Sequence, residues 1–194
     1  MNTDPETAAF PLDHLAIGKN PDADALVTRS ATLSYKMLNH RIGVLAAWLQ
    51  QQGVAKGDRV ATWLSKTELA CLMPLAAARA GLVHVPVNPL LKQAQVAYIM
   101  ADSGARLLIS NAGRLKTLAD SSDDAPWHRF EDKVVETAME SIEAPMAPSA
   151  AATDTDDLAA ILYTSGSTGR PKGVMLSHAN LTLGALSVAE YLKL

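Results

Sequence analysis

Apolar residues recur at Leu38, Ile42, Leu45 and Leu49, in steps of four, three and four, which lays a single stripe along a helix. Ser34 stands at the N-cap position of that helix and Gly53 at the C′ position that closes it. Before it, residues 1–24 are polar and rich in Pro and Asp apart from Phe10, Leu12 and Leu15; they read as a flexible N-terminal arm with one helical turn. Residues 25–28 and 32–33 predict a small hairpin around residues 29–31.

Beyond Gly53 strands and helices alternate. Residues 59–64 follow the Gly57-Asp58 turn and predict a strand. Ser65 and Glu68 have capping-box spacing for the next helix, which Pro74 should kink or interrupt and Gly81 should end. Residues 83–87 predict a second strand, and Val96, Ile99 and Met100 mark a helix stopped by Gly104. A third strand over 106–110 precedes a helix over 113–120. This alternation implies βαβ units and an α/β fold, a mostly parallel sheet flanked by helices. Residues 121–157 break the pattern with Asp, Pro, Ala and Ser, hold helical promise only over 131–143, and are expected to be a variable surface excursion or linker. The sheet resumes at 158–162, and Ser177 starts a final helix that reaches Leu194. No internal repeat is visible.

Composition narrows the classes. At 194 residues, 48% hydrophobic and 19% charged, the chain has the makeup of one globular domain. A net charge of −3 supplies no electrostatic footprint for nucleic acid. The single cysteine, Cys71, rules out a disulfide framework and a multi-cysteine zinc site; lying in an apolar run, it is expected to be a buried reduced thiol. The acidic N-terminus lacks the basic and apolar regions of a signal peptide. The longest apolar tract, 69–87, contains Pro74, Arg79, Gly81, His84 and Pro86, so no membrane span is expected and the chain reads as cytoplasmic.

The candidate chemistry lies at residues 163–173. Three glycines, four Ser/Thr hydroxyls and two cations fall within these eleven residues, after an apolar strand. Glycines let the backbone approach a ligand closely, and successive N–H groups in such a turn form an anion site. Thr164, Ser165, Ser167 and Thr168 add hydroxyl donors, and Arg170 and Lys172 add positive charge. The implied guest is a polyphosphate. The spacing does not fit the nucleoside-triphosphatase loop, because Pro171 precedes the lysine and Gly173 follows it. Only Gly166 and Gly169 of a dinucleotide fingerprint are present, and neither Ser165 nor Ser167 is flanked as in a hydrolase elbow. A flexible Gly/Ser turn is the plain alternative, although it needs neither the lysine nor the strand.

The whole string resembles the phosphate loop of the AMP-forming adenylating enzymes, which comprise acyl-CoA synthetases, peptide-synthetase adenylation domains and luciferases. The likeness runs from Tyr163 to Val174 and continues through Leu176, Ser177, His178, Ala179 and Asn180. Residues 33–38 resemble the family's first core motif with Met37 replacing a glutamate, residues 53–60 the following Gly/Asp/Arg segment, and residues 80–89 the second core motif. The resemblance covers about 25–194 and is weakest over 121–157. Val-Pro-Val-Asn-Pro at 85–89 is more typical of acyl-CoA synthetases than of amino-acid adenylation domains. Residues 90–98 further resemble acyl-CoA ligases found near exosortase and exopolysaccharide genes.

The resemblance implies a two-step ATP-dependent reaction. A carboxylic acid, on this reading a fatty acid, becomes an acyl-adenylate and pyrophosphate leaves; CoA then takes the acyl group. Phosphate contacts are implied for Thr164, Ser165, Gly166, Ser167, Thr168, Gly169, Lys172 and Gly173. Thr164 is also the position implicated in Mg2+ binding, as one oxygen ligand among waters and phosphates, or else a strand-end hydroxyl satisfying backbone. Arg170 is expected to be solvated, Pro171 to fix the loop backbone, and His178 to serve packing or capping in the first turn of the last helix. Family enzymes carry further motifs downstream, among them a catalytic lysine on a mobile C-terminal domain. The chain is therefore expected to be the N-terminal part of such an enzyme, without turnover alone. An amino-acid or aryl-acid adenylation domain, and a standalone non-catalytic nucleotide-binding module, are the alternatives.

Overall fold

The computed structural model describes residues 9–29, 31–118, 127–150, 154–165 and 170–193. Its first helix, α1 (Tyr35–Gln50), starts where the stripe predicts: the Ser34 side chain accepts from the Met37 N–H, and Leu38, Ile42, Leu45 and Leu49 are buried. The C-cap is Gln51, so Gly53 lies one residue beyond the expected C′ position. Ahead of α1, β1 (Asp24–Val27) and β2 (Thr32–Ser34) form the small antiparallel hairpin.

Six strands make the main sheet: β3 (Arg59–Trp63), β4 (Val83–Pro86), β5 (Leu107–Ser110), β6 (His128–Glu131), β7 (Leu158–Ser165) and β8 (Pro171–Ser177). Their order is β6-β5-β3-β4-β7-β8, with only the β7–β8 pair antiparallel. The remaining helices are α2 (Glu68–Arg79), α3 (Gln93–Ser103), α4 (Ala112–Leu118), α5 (Asp132–Glu140) and α6 (His178–Leu192). Alternate residues of the central strands feed two cores. Val60, Leu107 and Ile109 pack with α1, α2 and α5, whereas Ala61, Trp63 and Leu108 pack with α3 and α4. The result is a three-layer α/β sandwich, as the alternation implies.

Five local expectations need correction. Helix α2 runs through Pro74 without interruption. Proline in a helix costs about 3 kcal/mol, but Leu69, Leu72, Met73, Ala76 and Ala77 on this helix are all buried, and that packing outweighs it. Its N-cap is Thr67, whose side chain accepts from Ala70, rather than Ser65. Cys71 is exposed, because the core-facing stripe of α2 runs through Leu69, Leu72, Met73 and Ala76. Gly81 does end the helix, at φ 70°, with Leu82 N–H reaching the Ala77 carbonyl at 2.8 Å.

The stretch expected as an excursion or linker contains β6, which pairs in parallel with β5, and α5. Phe130 is the single apolar residue in β6 and meets Trp48 edge-on at 5.0 Å; so short an edge strand has no alternation to read. The chain then crosses α1 where Gly43 leaves room for it, since a Cβ there would lie 2.6 Å from the Met146 carbonyl oxygen. Residues 119–126 and 151–153 lie outside the described residues.

The expected N-terminal arm is likewise docked over its described part. A 3-10 turn at Leu12–Ala16 buries Leu12, Asp13 and Ala16. Asp13 Oδ2 receives Arg79 Nε at 3.0 Å, with both side chains at most 1% exposed. Arg79 also donates to the Asn39 carbonyl and side chain at 3.0 and 2.7 Å. Removing one member of such a pair leaves the other charge buried. Asp13→Ala is therefore expected to destabilise the fold by about 3–5 kcal/mol, read as a lowered urea midpoint with unchanged slope.

Candidate nucleotide site

Residues 163–165 and 171–173, read from sequence as loop, belong to the ends of β7 and β8. Thr164 faces Lys172 in the antiparallel register, and Ser165 faces Pro171. Thr164, Ser165, Arg170 and Lys172 are all exposed. Four residues, Gly166, Ser167, Thr168 and Gly169, lie between the strands and outside the described residues. The hairpin thus brings two hydroxyls and a lysine together at its open end, a donor set that suits phosphate oxygens.

Gly173 has a packing reason to be glycine. It sits opposite Tyr163, and a Cβ at this position would lie 2.8 Å from Ile161 Cγ2 and 3.2 Å from the Tyr163 ring. The Tyr163 hydroxyl donates to Asp102 Oδ2 at 2.6 Å, and Tyr98 donates to the other carboxylate oxygen at 3.3 Å. Burial, and after it the Asp102 carboxylate, pushes the Tyr163 phenol well up, so it remains the donor at ordinary pH. Nothing in the local sequence pairs Tyr163 with Asp102; only the fold brings them together.

A crevice of about 400 Å³ opens at the carboxyl ends of β3, β4 and β7, lined by residues that include Thr62, His84, Pro86, Asn88, Leu162 and Tyr163. Crevices at this end of a parallel sheet are where such folds bind ligands. A groove of about 1130 Å³ between the β1–β2 hairpin, α1 and α5 is larger, but it touches neither β7 nor β8. Within that groove Arg41 pairs with Glu68 and Lys133 with Glu136. The smaller crevice is the candidate site.

His84 is buried in the wall of the crevice, with Nε2 2.8 Å from Thr62 Oγ1. Desolvation lowers its pKa to about 4. His178, in contrast, is far from this chemistry: its Nδ1 accepts the Leu12 N–H at 3.0 Å beneath the N-terminal turn, the packing role expected of it.

No group of three or more His, Cys, Asp or Glu side chains among the described residues could hold a metal ion. The exposed Thr164 hydroxyl fits a Mg2+ that arrives with nucleotide and keeps mostly phosphate and water ligands. No helix among the described residues is long and apolar enough to cross a membrane.

Against known proteins, the family described as AMP-binding enzyme matches residues 14–193. The chain is 38% identical to L-proline--[L-prolyl-carrier protein] ligase of Pseudomonas fluorescens, over 85% of this chain and 34% of that relative. To feruloyl-CoA synthase of Amycolatopsis sp it is 37% identical, over 87% of this chain and 33% of the relative. The crystal structure of ATP-bound MatB from Rhodopseudomonas palustris superposes with a TM-score of 0.82 at 30% identity, covering 95% of this chain and 38% of that one. The chain spans about a third of the length of these proteins.

Two outcomes follow from the geometry. Gly173→Ala should cost about 1–3 kcal/mol through overpacking against Ile161 and Tyr163, measurable by chemical denaturation. For His84, the folded pKa lies below the unfolded value of 6.5, so between about pH 4 and 6.5 the unfolded chain binds more protons. Stability due to this group is complete above pH 6.5 and falls as the pH drops toward 4, by about 3 kcal/mol in all. Unfolding free energies measured across that window should flatten in His84→Gln, leaving the smaller contribution of His178, whose pKa burial also lowers.

Proposed function

From this chain's membership of the AMP-binding enzyme family, we propose that it grips the polyphosphate of ATP in an enzyme that activates a carboxylic acid. The observation that carries the reading is the string 163–174, whose described residues end β7 and begin β8 with Thr164 set against Lys172. In the first step a carboxylate oxygen attacks the α-phosphorus, the bond to the β-phosphate oxygen breaks, and its electron pair leaves on pyrophosphate. Lys172, the hydroxyls of Thr164, Ser165, Ser167 and Thr168 and the amides of Gly166 and Gly169 hold the β- and γ-phosphates as that charge grows. Mg2+, with Thr164 as one oxygen ligand, would neutralise charge on the same phosphates. Gly173 serves the hairpin more than the ligand, through its contact with Tyr163.

In the second step a thiol sulfur attacks the acyl carbon, AMP departs and the thiol proton is lost. We assign CoA as the thiol, with support from the Val85–Pro89 segment and from similarity to feruloyl-CoA synthase, and take a fatty acid as the acid. The segment 90–98 supports the narrower placement near exosortase-associated ligases. A second reading, amino-acid activation for a carrier protein, is favoured by the equal similarity to the prolyl-carrier ligase. A standalone binding module is disfavoured by the exposed apolar side chains of β8 and α6, with Met175 71% and Tyr191 85% exposed.

Acid-dependent ATP–pyrophosphate exchange by the full-length protein that carries this sequence is the test. Fatty acids should drive exchange; exchange driven by an amino acid alone would move the assignment to the second reading. Lys172→Ala should lower the exchange rate by about one to two orders of magnitude, the worth of one hydrogen bond to a charged oxygen. Absence of exchange with every acid tried, together with unaltered ATP binding in Lys172→Ala, would remove the proposal.

A further inference from the structure

A loop that holds a polyphosphate must also be aimed, and the sheet does little of this for the last residues of β7. With His84 in register with Ala160 and β4 ending at Pro86, β4 accompanies β7 only as far as Leu162, and beyond it the strand neighbour of β7 is β8 alone. The hairpin therefore projects past the body of the sheet for its last residues, including Thr164 and Ser165. Beyond the backbone pairing with β4, the Tyr163 hydroxyl fastens it to the body, on Asp102 Oδ2 at 2.6 Å and beside the Ser103 hydroxyl.

Asp102 lies in the last turn of α3, a helix rooted by the buried Val96, Ile99 and Met100 and closed by Gly104. Tyr98, one turn earlier, reaches the other oxygen of the same carboxylate. On the opposite strand, Gly173 leaves room for the Tyr163 ring against the sheet. A residue chosen only to fill this space needs no hydroxyl, since a phenylalanine ring would occupy it equally. The short bond to a carboxylate is what the phenol adds.

We infer that Tyr163 and Asp102 form a positioning tether, which fixes the direction in which the hairpin presents Thr164, Ser165 and Lys172 to a polyphosphate. The tether rests on the proposed nucleotide reading for its purpose, though not for its existence. It works by restricting the hairpin before ligand arrives, so the entropy of ordering the donors is already spent when phosphate binds. The Asp102 charge meanwhile faces two phenolic donors.

The test uses the full-length protein that carries this sequence, with two readouts, amide hydrogen exchange and MgATP binding by calorimetry. Tyr163→Phe keeps the ring and deletes only the donor, Asp102→Ala deletes the acceptor, and Asp102→Asn keeps a neutral one. Tyr163→Phe and Asp102→Ala should each speed exchange of the Thr164, Ser165 and Lys172 amides about tenfold, and weaken MgATP about tenfold, as expected for one hydrogen bond to a charged group. Amides of β5 should not change. The double variant should be no worse than either single one, and Asp102→Asn should lie between them and the parent. Unchanged hairpin exchange in Tyr163→Phe would overturn the tether, even where Lys172→Ala abolishes nucleotide binding. If the full-length parent protein binds no MgATP, the nucleotide reading fails instead, and the exchange rates still decide the tether.

Discussion

Asp13 and Arg79 sit in the interior with almost no exposure of either side chain, and such a pair holds only when its remaining polar atoms find partners. Most of them do. The guanidinium reaches the backbone and side chain of Asn39, and Asp13 Oδ2 also receives the Ser149 N–H at 3.0 Å. One ion pair thus fixes the N-terminal turn, the end of α2, the early turns of α1 and the segment after α5. Beside it, Leu12 donates to His178, which registers the start of α6 against the same turn. Because α6 begins one residue after β8 ends, the base of the β7–β8 hairpin is set by a contact made at the far end of the sequence.

The hairpin is therefore fixed at its base and exposed at the described ends of its two strands. Near the base, Ile161 is nearly buried and joins the core formed by Val83, Val85 and Leu108. Toward the tip, Thr164, Ser165 and Lys172 are exposed. This gradient suits a ligand-gripping element, since donors that already bonded one another would have to break those bonds before meeting phosphate. Placing hydroxyls and a lysine on the ends of two paired strands also limits how far they can diverge, which a free loop of the same composition would not do.

Much of this was legible in the sequence where the physical signal is local. The stripe on α1, the Ser34 cap, Gly81 and Gly104 as helix stops, and the strand–helix alternation each depend on neighbours a few residues apart, and each stands in the structure. The misses share the opposite character. Pro74 is tolerated because of a buried face that only the packed helix possesses, and Cys71 is exposed for the same geometric reason. Strand β6 owes its existence to pairing with β5, not to a pattern of its own. The Asp13–Arg79 pair spans 66 positions and the Tyr163–Asp102 bond spans 61. Motif resemblance marked residues 163–174, but it could not show that 163–165 and 171–174 are strand.

The position of the candidate site follows from the order of the strands. β3 has β4 on one side and β5 on the other, so the chain leaves β3 toward one flank and later returns across it to the other. Helices α2 and α3 accordingly pack against opposite faces, and the segments leaving β3 and β4 part at their carboxyl ends. That parting is the crevice. β7 enters beside β4, which delivers the hairpin to the rim of the same opening. Desolvation keeps His84 neutral in the crevice wall above about pH 4. Positive charge then stands on Lys66 at the lining and on Lys172 along the hairpin. On the proposed reading an anion would be drawn toward these two lysines, and the largely apolar remainder of the crevice would suit an uncharged part of the ligand.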